Sequence, residues 1–211
     1  MRTALFPVLP LASLLLVAGL AQAAEQVRTV PAFTSIDNRG PISVAIDVGP
    51  AQSVKVSGNE TFVGLLLTEV VDGELRITMR DKHISGSLGD PKVTITMPQL
   101  NAFTMSGAGA VTLSHVTGDK LAVSFGGAGS LKADGRVKQL NLTVGGVGDI
   151  DTRALQAEAA DVRVGGIGSV KVTATARLDA SVGGVGSLTY YGHPKAVNTS
   201  GGGLGSISRG D

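Results

Sequence analysis

Two pairs of oppositely charged residues are the first candidates for chemistry in this chain of 211 residues. Asp134 stands two positions before Arg136, and Asp161 stands two positions before Arg163. An enzyme that cuts acidic polysaccharides by acid–base chemistry needs several carboxylates and a basic side chain gathered on one face. Neither pair alone makes such a cluster, so the sequence predicts no catalytic residue.

Metal and nucleotide sites are also disfavoured by the residues present. Calcium-binding glycine repeats carry aspartate at the sixth position of GGxGxD, where the glycine-rich segments of this chain always carry Val, Leu or Ile. Asp149 and Asp151 are interpreted as a solvated pair rather than a cation site. The sequence has no P-loop lysine and no nucleophile elbow, and its three histidines, His83, His115 and His193, stand alone. We therefore predict no cofactor and no metal.

The overall composition excludes further classes of protein. The chain has no cysteine, which rules out disulfide scaffolds, zinc fingers and thiol catalysis. It has 18 basic and 17 acidic residues, whereas affinity for nucleic acid depends on clustered Lys and Arg. Glycine is unusually frequent, with 30 residues, about twice the usual share of roughly 7%. The abundant glycine therefore needs a structural explanation.

Residues 1–23 have the pattern of a cleaved export signal. A basic start and an apolar run lead to the small-x-small motif Ala21-Gln22-Ala23. Pro7 and Pro10 interrupt the run, which makes a retained membrane anchor the weaker interpretation. Cleavage removes one arginine and leaves residues 24–211 with 17 acidic and 17 basic side chains.

The predicted compartment is the bacterial envelope, because the chain is exported and has no cysteine. Within it, we predict the periplasm rather than the cell surface or the exterior. No later segment is predicted to span a membrane.

The second half of the chain consists of six copies of a glycine-rich hexapeptide, spaced by 18 to 20 residues. Before each copy, apolar and polar residues alternate, as in Leu121 to Phe125, which predicts half-buried strands. Each unit is therefore predicted to be a strand, a glycine corner, a short strand and a polar turn. Glycine suits a corner because it tolerates positive φ and close backbone approach. The predicted structural corners are Gly107, Gly109, Gly127, Gly129, Gly146, Gly148, Gly166, Gly168, Gly184, Gly186, Gly203 and Gly205.

Such units gain a core only by stacking, because each strand pair is too small to bury its apolar side chains alone. The sequence predicts an all-β fold, a right-handed parallel β-helix with turns of about 19 residues. Residues 25–100 are predicted to form irregular first turns and a cap, with a short helix in 60–71 and an exposed loop in 81–91, within one domain covering 24–211. The predicted core columns are Met105, Phe125, Val144, Val164 and Val182, and Val111, Leu131, Ile150, Val170, Leu188 and Ile207.

Two surfaces are predicted to contact partners. A polar outer stripe is the candidate glycan- or protein-facing surface, with a merely solvated face as the alternative. The C-terminal end is the other surface, because an open solenoid end leaves strand edges unpaired. It is predicted to contact another chain or a second copy through Val197, Leu204 and Ile207. The stripe comprises Thr104, Ser124, Thr143, Arg163, Ser181 and Ser200.

The chain resembles the GIN domain family, described as the head of auto-transporter adhesins. The resemblance implies a β-helical fold and an exported bacterial protein, and it implies no catalytic residues. The motifs that carry it are Phe33-Thr34-Ser35-Ile36, Ile42-Ser43-Val44-Ala45-Ile46, Val54-Lys55-Val56-Ser57-Gly58-Asn59-Glu60, Asp72-Gly73-Glu74-Leu75-Arg76-Ile77, the Ser106-Gly107-Ala108-Gly109 type of repeat, and Tyr190-Tyr191-Gly192-His193-Pro194.

The sequence thus favours an exported, non-enzymatic β-solenoid that acts as an adhesin-like interaction module of the cell envelope. Its partner would be a protein or a glycan. The first alternative is a β-helical enzyme acting on polysaccharide, which new reducing or unsaturated ends in a glycan panel would reveal. The second alternative is a purely structural envelope protein.

Overall fold

Strands with alternating apolar and polar residues make up nearly all of the computed structural model, which describes residues 24–80 and 91–210. The predicted signal segment 1–23 and most of the predicted loop 81–91 lie outside the described residues. The elements are β1 Ala24–Arg28, β2 Ser35–Asn38, β3 Ser43–Val48, β4 Ser53–Gly58, α1 Glu60–Leu65, β5 Leu66–Val71, β6 Glu74–Met79, β7 Lys92–Met97, β8 Ala102–Met105, β9 Ala108–Phe125, β10 Ala128–Val144, β11 Val147–Val164, β12 Ile167–Val182, β13 Val185–Tyr191, β14 Ala196–Gly201 and β15 Ser206–Arg209.

The strands pair into two parallel ladders, which form two faces of a stacked tube. The first face contains β3, the first parts of β9 to β12, β13 and β15. The second face contains β2, β8, the last parts of β9 to β12 and β14. The predicted parallel β-solenoid is therefore confirmed.

Both predicted core columns are aligned as the sequence indicates. On the first face Leu131 pairs in register with Val111 and Ile150, and on the second face Val144 pairs with Phe125 and Val164. All members of the two columns are buried except Ile207 in the last coil, which is partly buried against the core. Each aliphatic side chain removed from water in such a column contributes about 1.5–3 kcal/mol, which must offset the entropy of ordering the chain.

The prediction that polar turns separate the strands is wrong in one respect, because the parallel strand pairing continues through these turns. β9 to β12 are continuous strands of 16 to 18 residues that bend from the first face to the second. The bends coincide with register shifts, such as the one between Ala133 and Gly135, and with positive φ at His115 and Gly135. Bulges let a strand turn sharply while its backbone groups stay paired with the next coil.

The first coil does not stack in sequence order. β2 lies between β6 and β8, and β3 lies between β7 and β9, with every pairing parallel. Residues 35–48 are therefore inserted between two coils that follow them in the chain. Their apolar positions, such as Ile36 and Ile46, are buried in the same core.

Antiparallel strands and the helix lie at the N-terminal end of the solenoid. β4 pairs antiparallel with β7 and β1, and β5 pairs antiparallel with β6. Helix α1 connects β4 to β5, and its Phe62 is fully buried. Asn59 accepts a hydrogen bond from the Phe62 backbone at 2.7 Å, which caps the first turn. Arg28 donates to the Val63 carbonyl at 2.6 Å, which ties β1 to the helix.

The predicted short helix in 60–71 is half correct. Only Glu60–Leu65 is helical, whereas Leu66–Val71 forms strand β5. Thr68, Val70 and Val71 are β-branched and favour a strand, and cross-strand pairing with β6 satisfies their backbone groups. Tertiary pairing therefore overrides the helical pattern of the three leucines.

The glycine corners bring successive coils into very close contact. A Cβ on Gly146 would lie 2.0 Å from the carbonyl oxygen of Gly127, and one on Gly148 would lie 2.0 Å from that of Gly129. The Gly127 oxygen also accepts a 2.9 Å hydrogen bond from the Val147 backbone. Gly145, the first glycine of the same copy, has nothing within 4 Å of such a Cβ. Close approach of the coils therefore explains why glycine occupies the second and fourth positions of the hexapeptide. It does not explain the glycine at the first position.

Candidate interaction surfaces

The six residues of the predicted polar stripe lie in one row on the second face. Strand pairing places Thr104 beside Ser124, Thr143 beside Arg163, and Ser181 beside Ser200 in successive coils. None of the six is buried, because each alternates with an inward apolar neighbour. Neighbouring strands are about 4.8 Å apart. The row therefore presents one polar side chain per coil, at that spacing.

The C-terminal half of this row borders a shallow groove with a volume of about 290 Å³. A second outward row, two residues earlier in each strand, supplies the opposite wall. Thr104, Ser124 and Thr143 continue the stripe but do not line the groove. The polar residues that line it are Asp161, Arg163, Asp179, Ser181, Asn198, Thr199 and Ser200.

Ion pairs and an amide hold the charged groups of the groove in place. Arg163 lies 3.0 Å from Asp161, and Arg177 lies 2.5 Å from Asp179. Asn198 donates to the other oxygen of Asp179 at 2.8 Å. The hydrogen bond from Arg177, and then that from Asn198, lowers the pKa of Asp179 below its usual value. The carboxylate is therefore ionised at neutral pH, and it accepts hydrogen bonds.

The groove contains both hydrogen-bond donors and acceptors, and none of its lining residues is aromatic. Hydroxyl, amide, carboxylate and guanidinium groups can exchange hydrogen bonds with the hydroxyls of a glycan or with an extended backbone. The predicted pair of Asp161 and Arg163 is an ion pair within this wall. It offers no separate acid and base poised for bond cleavage.

On the first face, the other predicted charged groups take different partners. Asp134 accepts from the His115 backbone at 2.8 Å, whereas Arg136 donates to Gln156 at 2.8 Å. Asp151 binds Arg153, with a shortest distance of 2.6 Å. That hydrogen bond lowers the pKa of Asp151. Across residues 24–80 and 91–210, no three His, Asp or Glu side chains are grouped to hold a metal ion.

His115 lies at the bend of β9 and contacts a carboxylate of another coil. Its backbone is left-handed, with φ of 55°, which non-glycine residues seldom adopt. Its Nδ1 lies 2.6 Å from Oδ1 of Asp47, which belongs to the out-of-order first coil. The contact therefore joins β3 to the bend of β9.

We expect the pKa of His115 to exceed its ordinary value of 6.5, because the hydrogen bond and the charge of Asp47 favour the imidazolium. Protonation is then more favourable in the folded than in the unfolded chain. Its contribution to stability is fully present below about pH 6.5 and is lost as pH rises through the folded pKa. NMR titration of the imidazole would measure this value.

The matched variant for this titration is Asp47→Asn, which keeps the shape and removes the charge. It should return the His115 pKa toward 6.5 and reduce the dependence of the melting temperature on pH between about 6 and 8. An unshifted His115 in the unaltered protein would contradict the ion pair.

An exposed apolar ridge along the glycine corners was missed by the sequence reasoning. Val147, Ile167 and Val185 pair in register and are 54%, 54% and 49% exposed, and Leu204 in the last coil is 84% exposed. The flanking glycines have no side chains to cover them. The sequence does indicate this ridge at the third position of each hexapeptide. That position is alanine in the first two copies and Val, Ile or Leu in the later ones.

The C-terminal end is more polar inside than the coils before it. Strand pairing places Thr199 next to Ala180, Gly201 next to Val182, and Arg209 next to Tyr190. Every residue of β14 is exposed. Of the three residues predicted to contact a partner, Val197 and Leu204 are exposed and Ile207 packs on the core.

A β-solenoid with a polar groove on one flat face and an apolar ridge along one corner is a surface interaction module in its architecture. A family model described as "Putative auto-transporter adhesin, head GIN domain" matches residues 32–194. The chain belongs to this family, which confirms the resemblance seen in the sequence. Among curated proteins, no relative matches the chain.

Solved structures share the fold. A crystal structure described as a putative adhesin from Bacteroides fragilis is 24% identical, with a TM-score of 0.74, and the match covers 89% of this chain and 97% of that one. Another from Parabacteroides distasonis is 20% identical, with a TM-score of 0.51, covering 90% and 98%. In the described part of this chain, no helix is long and apolar enough to cross a membrane.

Proposed function

We propose that this protein is an exported, non-enzymatic adhesion module that binds a hydroxyl-rich glycan of the bacterial envelope through the groove of the second face. The observation that supports this most directly is the coincidence of the predicted stripe with that groove, at Arg163, Ser181 and Ser200. Membership of a family described as adhesin heads supports the same function.

The groove matches a glycan in its chemistry. Arg163 offers N–H donors, Asp179 offers acceptors, and Ser181 and Ser200 can do both. A glycan lying across the strands would meet a polar side chain at each coil, about every 4.8 Å. Such contacts are individually weak because water competes for them, so binding would depend on several coils at once.

Export is part of the proposal, and it rests on the pattern of residues 1–23. Fractionation of cells, followed by the intact mass of the recovered protein, tests it. We expect the mature protein to begin at Ala24 and to lie in the periplasm. A cytoplasmic protein of full length would contradict both the signal and the envelope ligand.

The binding site is tested by filling the groove with a bulky side chain. Ser181→Tyr places an aromatic ring between the two walls, and we expect binding to purified envelope glycans to weaken at least tenfold, equivalent to about 1.4 kcal/mol. Ser130→Tyr, on the outward side of the first face, is the matched control. Equal binding by both variants would exclude the groove.

Four further results would overturn the proposal. If the triple variant Val147→Ser, Ile167→Ser and Val185→Ser abolishes binding while Ser181→Tyr does not, the apolar ridge is the binding surface instead. If a glycan panel incubated with the protein gains reducing or unsaturated ends, the protein is an enzyme. Binding to envelope proteins in place of the glycans would make the partner a protein, and binding to neither would favour a purely structural role.

A further inference from the structure

The two ends of the solenoid carry opposite charge. At the C-terminal end, residues 180–210 contain Lys195 and Arg209 and no acidic residue, and the next acidic residue in the chain is Asp211. At the N-terminal end, residues 59–74 contain four acidic side chains and no basic one. Glu74 is paired with Arg76, and Arg28 of β1 lies beside helix α1, so this end keeps an acidic excess. Glu60, Glu69 and Asp72 are exposed there.

Each end also presents strand edges on both faces. Within residues 24–80 and 91–210, the first face ends in β1 and β15, each paired on one side only, and the second face ends in β5 and β14 in the same way. Unpaired edges expose backbone N–H and C=O groups that can pair with another strand. A coaxial stack of two copies would therefore place β15 opposite β1, and β14 opposite β5.

Exposed aliphatic side chains occur at both ends as well. Val27 in β1 is 62% exposed, and Leu67 in β5 is also exposed. Leu204 and Val197 are their counterparts at the C-terminal end. Burial of these four side chains would add an apolar component to the contact.

The two ends differ in shape. Helix α1 closes the N-terminal end, where its residues Glu60 and Gly64 are exposed. The C-terminal end instead holds a cavity of about 250 Å³. Its lining combines an arginine, a histidine, a tyrosine and two apolar residues, and none of them is acidic: Tyr190, His193, Pro194, Val197 and Arg209.

We propose that the protein associates head to tail, with the C-terminal end of one copy seated on the acidic N-terminal end of a second copy. This inference is independent of the glycan groove, which lies on the flat second face. The contact joins two different surfaces. After each added copy, the assembly therefore still has one free N-terminal end and one free C-terminal end. Such heterologous contacts give open chains rather than closed dimers.

Sedimentation of the mature chain, residues 24–211, tests the association. At low salt we expect the average mass to rise with concentration beyond that of a dimer, between about 1 and 300 μM. We expect at least a tenfold weaker association in 0.5 M salt, because exposed charges are screened over a few ångströms at that ionic strength. A monomer at every concentration, or a species that stops at a dimer, would overturn the proposal.

Charge reversal at each end provides the matched controls. Lys195→Glu with Arg209→Glu gives a tail variant. Glu60→Lys and Glu69→Lys with Asp72→Asn gives a head variant, in which Glu74 is the one acidic residue left in 59–74. Each should remain monomeric alone, because its two ends then carry the same sign of charge, while circular dichroism shows the unaltered β spectrum. Mixing the two variants should restore association, since opposite ends meet again. Failure of the mixture to associate, or assembly of either variant alone, would overturn the head-to-tail contact.

Discussion

Gly146→Ala is expected to lower the free energy of unfolding by more than about 4 kcal/mol, an exceptional loss for one methyl group. The added Cβ would lie 2.0 Å from the Gly127 oxygen, well inside van der Waals contact. That oxygen already accepts the hydrogen bond from the Val147 backbone. The two coils would have to separate, which would break the ladder on either side. Urea denaturation followed by circular dichroism measures the change.

The adjacent glycine provides the control. Gly145→Ala introduces the same methyl group where nothing lies within 4 Å, and it should change the stability by less than about 1 kcal/mol. Ser130→Ala, beside the previous corner, should also have little effect. Similar unfolding midpoints for Gly146→Ala and Gly145→Ala would show that the corner glycines are not required for close packing.

Phe125→Ala is expected to cost about 3–5 kcal/mol, because it removes a fully buried aromatic ring and leaves a cavity. Phe125 lies between Met105 and Val144 in the column of the second face. Its neighbours are fixed by parallel ladders on both sides, so they cannot collapse fully into the space. The unfolding midpoint in urea would show the effect directly.

Ile167→Ala is the corresponding change on the exposed apolar ridge. Because Ile167 is 54% exposed, we expect a loss of less than about 1 kcal/mol. Equal losses for Phe125→Ala and Ile167→Ala would mean that the interior columns do not dominate the stability of the solenoid.

The repeated half of the fold could be predicted from sequence because each coil repeats the same local pattern. Apolar residues such as Leu140, Leu142 and Val144 recur at a period of two, and the glycines mark where the coils approach. When the repeat length varies by only one or two residues, equivalent residues align in parallel ladders and short register shifts absorb the difference. The outward row with Arg163 and Ser181 follows from the same alternation, so half of the groove was predictable.

The remaining features depend on contacts between distant parts of the chain. Alternation predicts Asp179 as an outward residue, but its hydrogen bond with Asn198 forms only because β12 and β14 are neighbours. The antiparallel pairing of β5 with β6 converts Leu66–Val71 from a predicted helix into a strand. The ridge was overlooked because alternation predicts which side chains point inward, and Val147 and Ile167 lie at a corner where no alternation applies.

The insertion of β2 and β3 between later coils has a consequence for the order in which the polypeptide folds. In the repeats, each strand meets partners about 19 residues away, whereas Ile36 must pair with both Leu75 and Phe103. Contacts of long sequence separation form slowly. Until the later coils are in place, β2 and β3 lack the neighbours with which they pair. We therefore expect the folding nucleus to form among the glycine repeats. Strands β2 and β3, which come early in the chain, are expected to pair last.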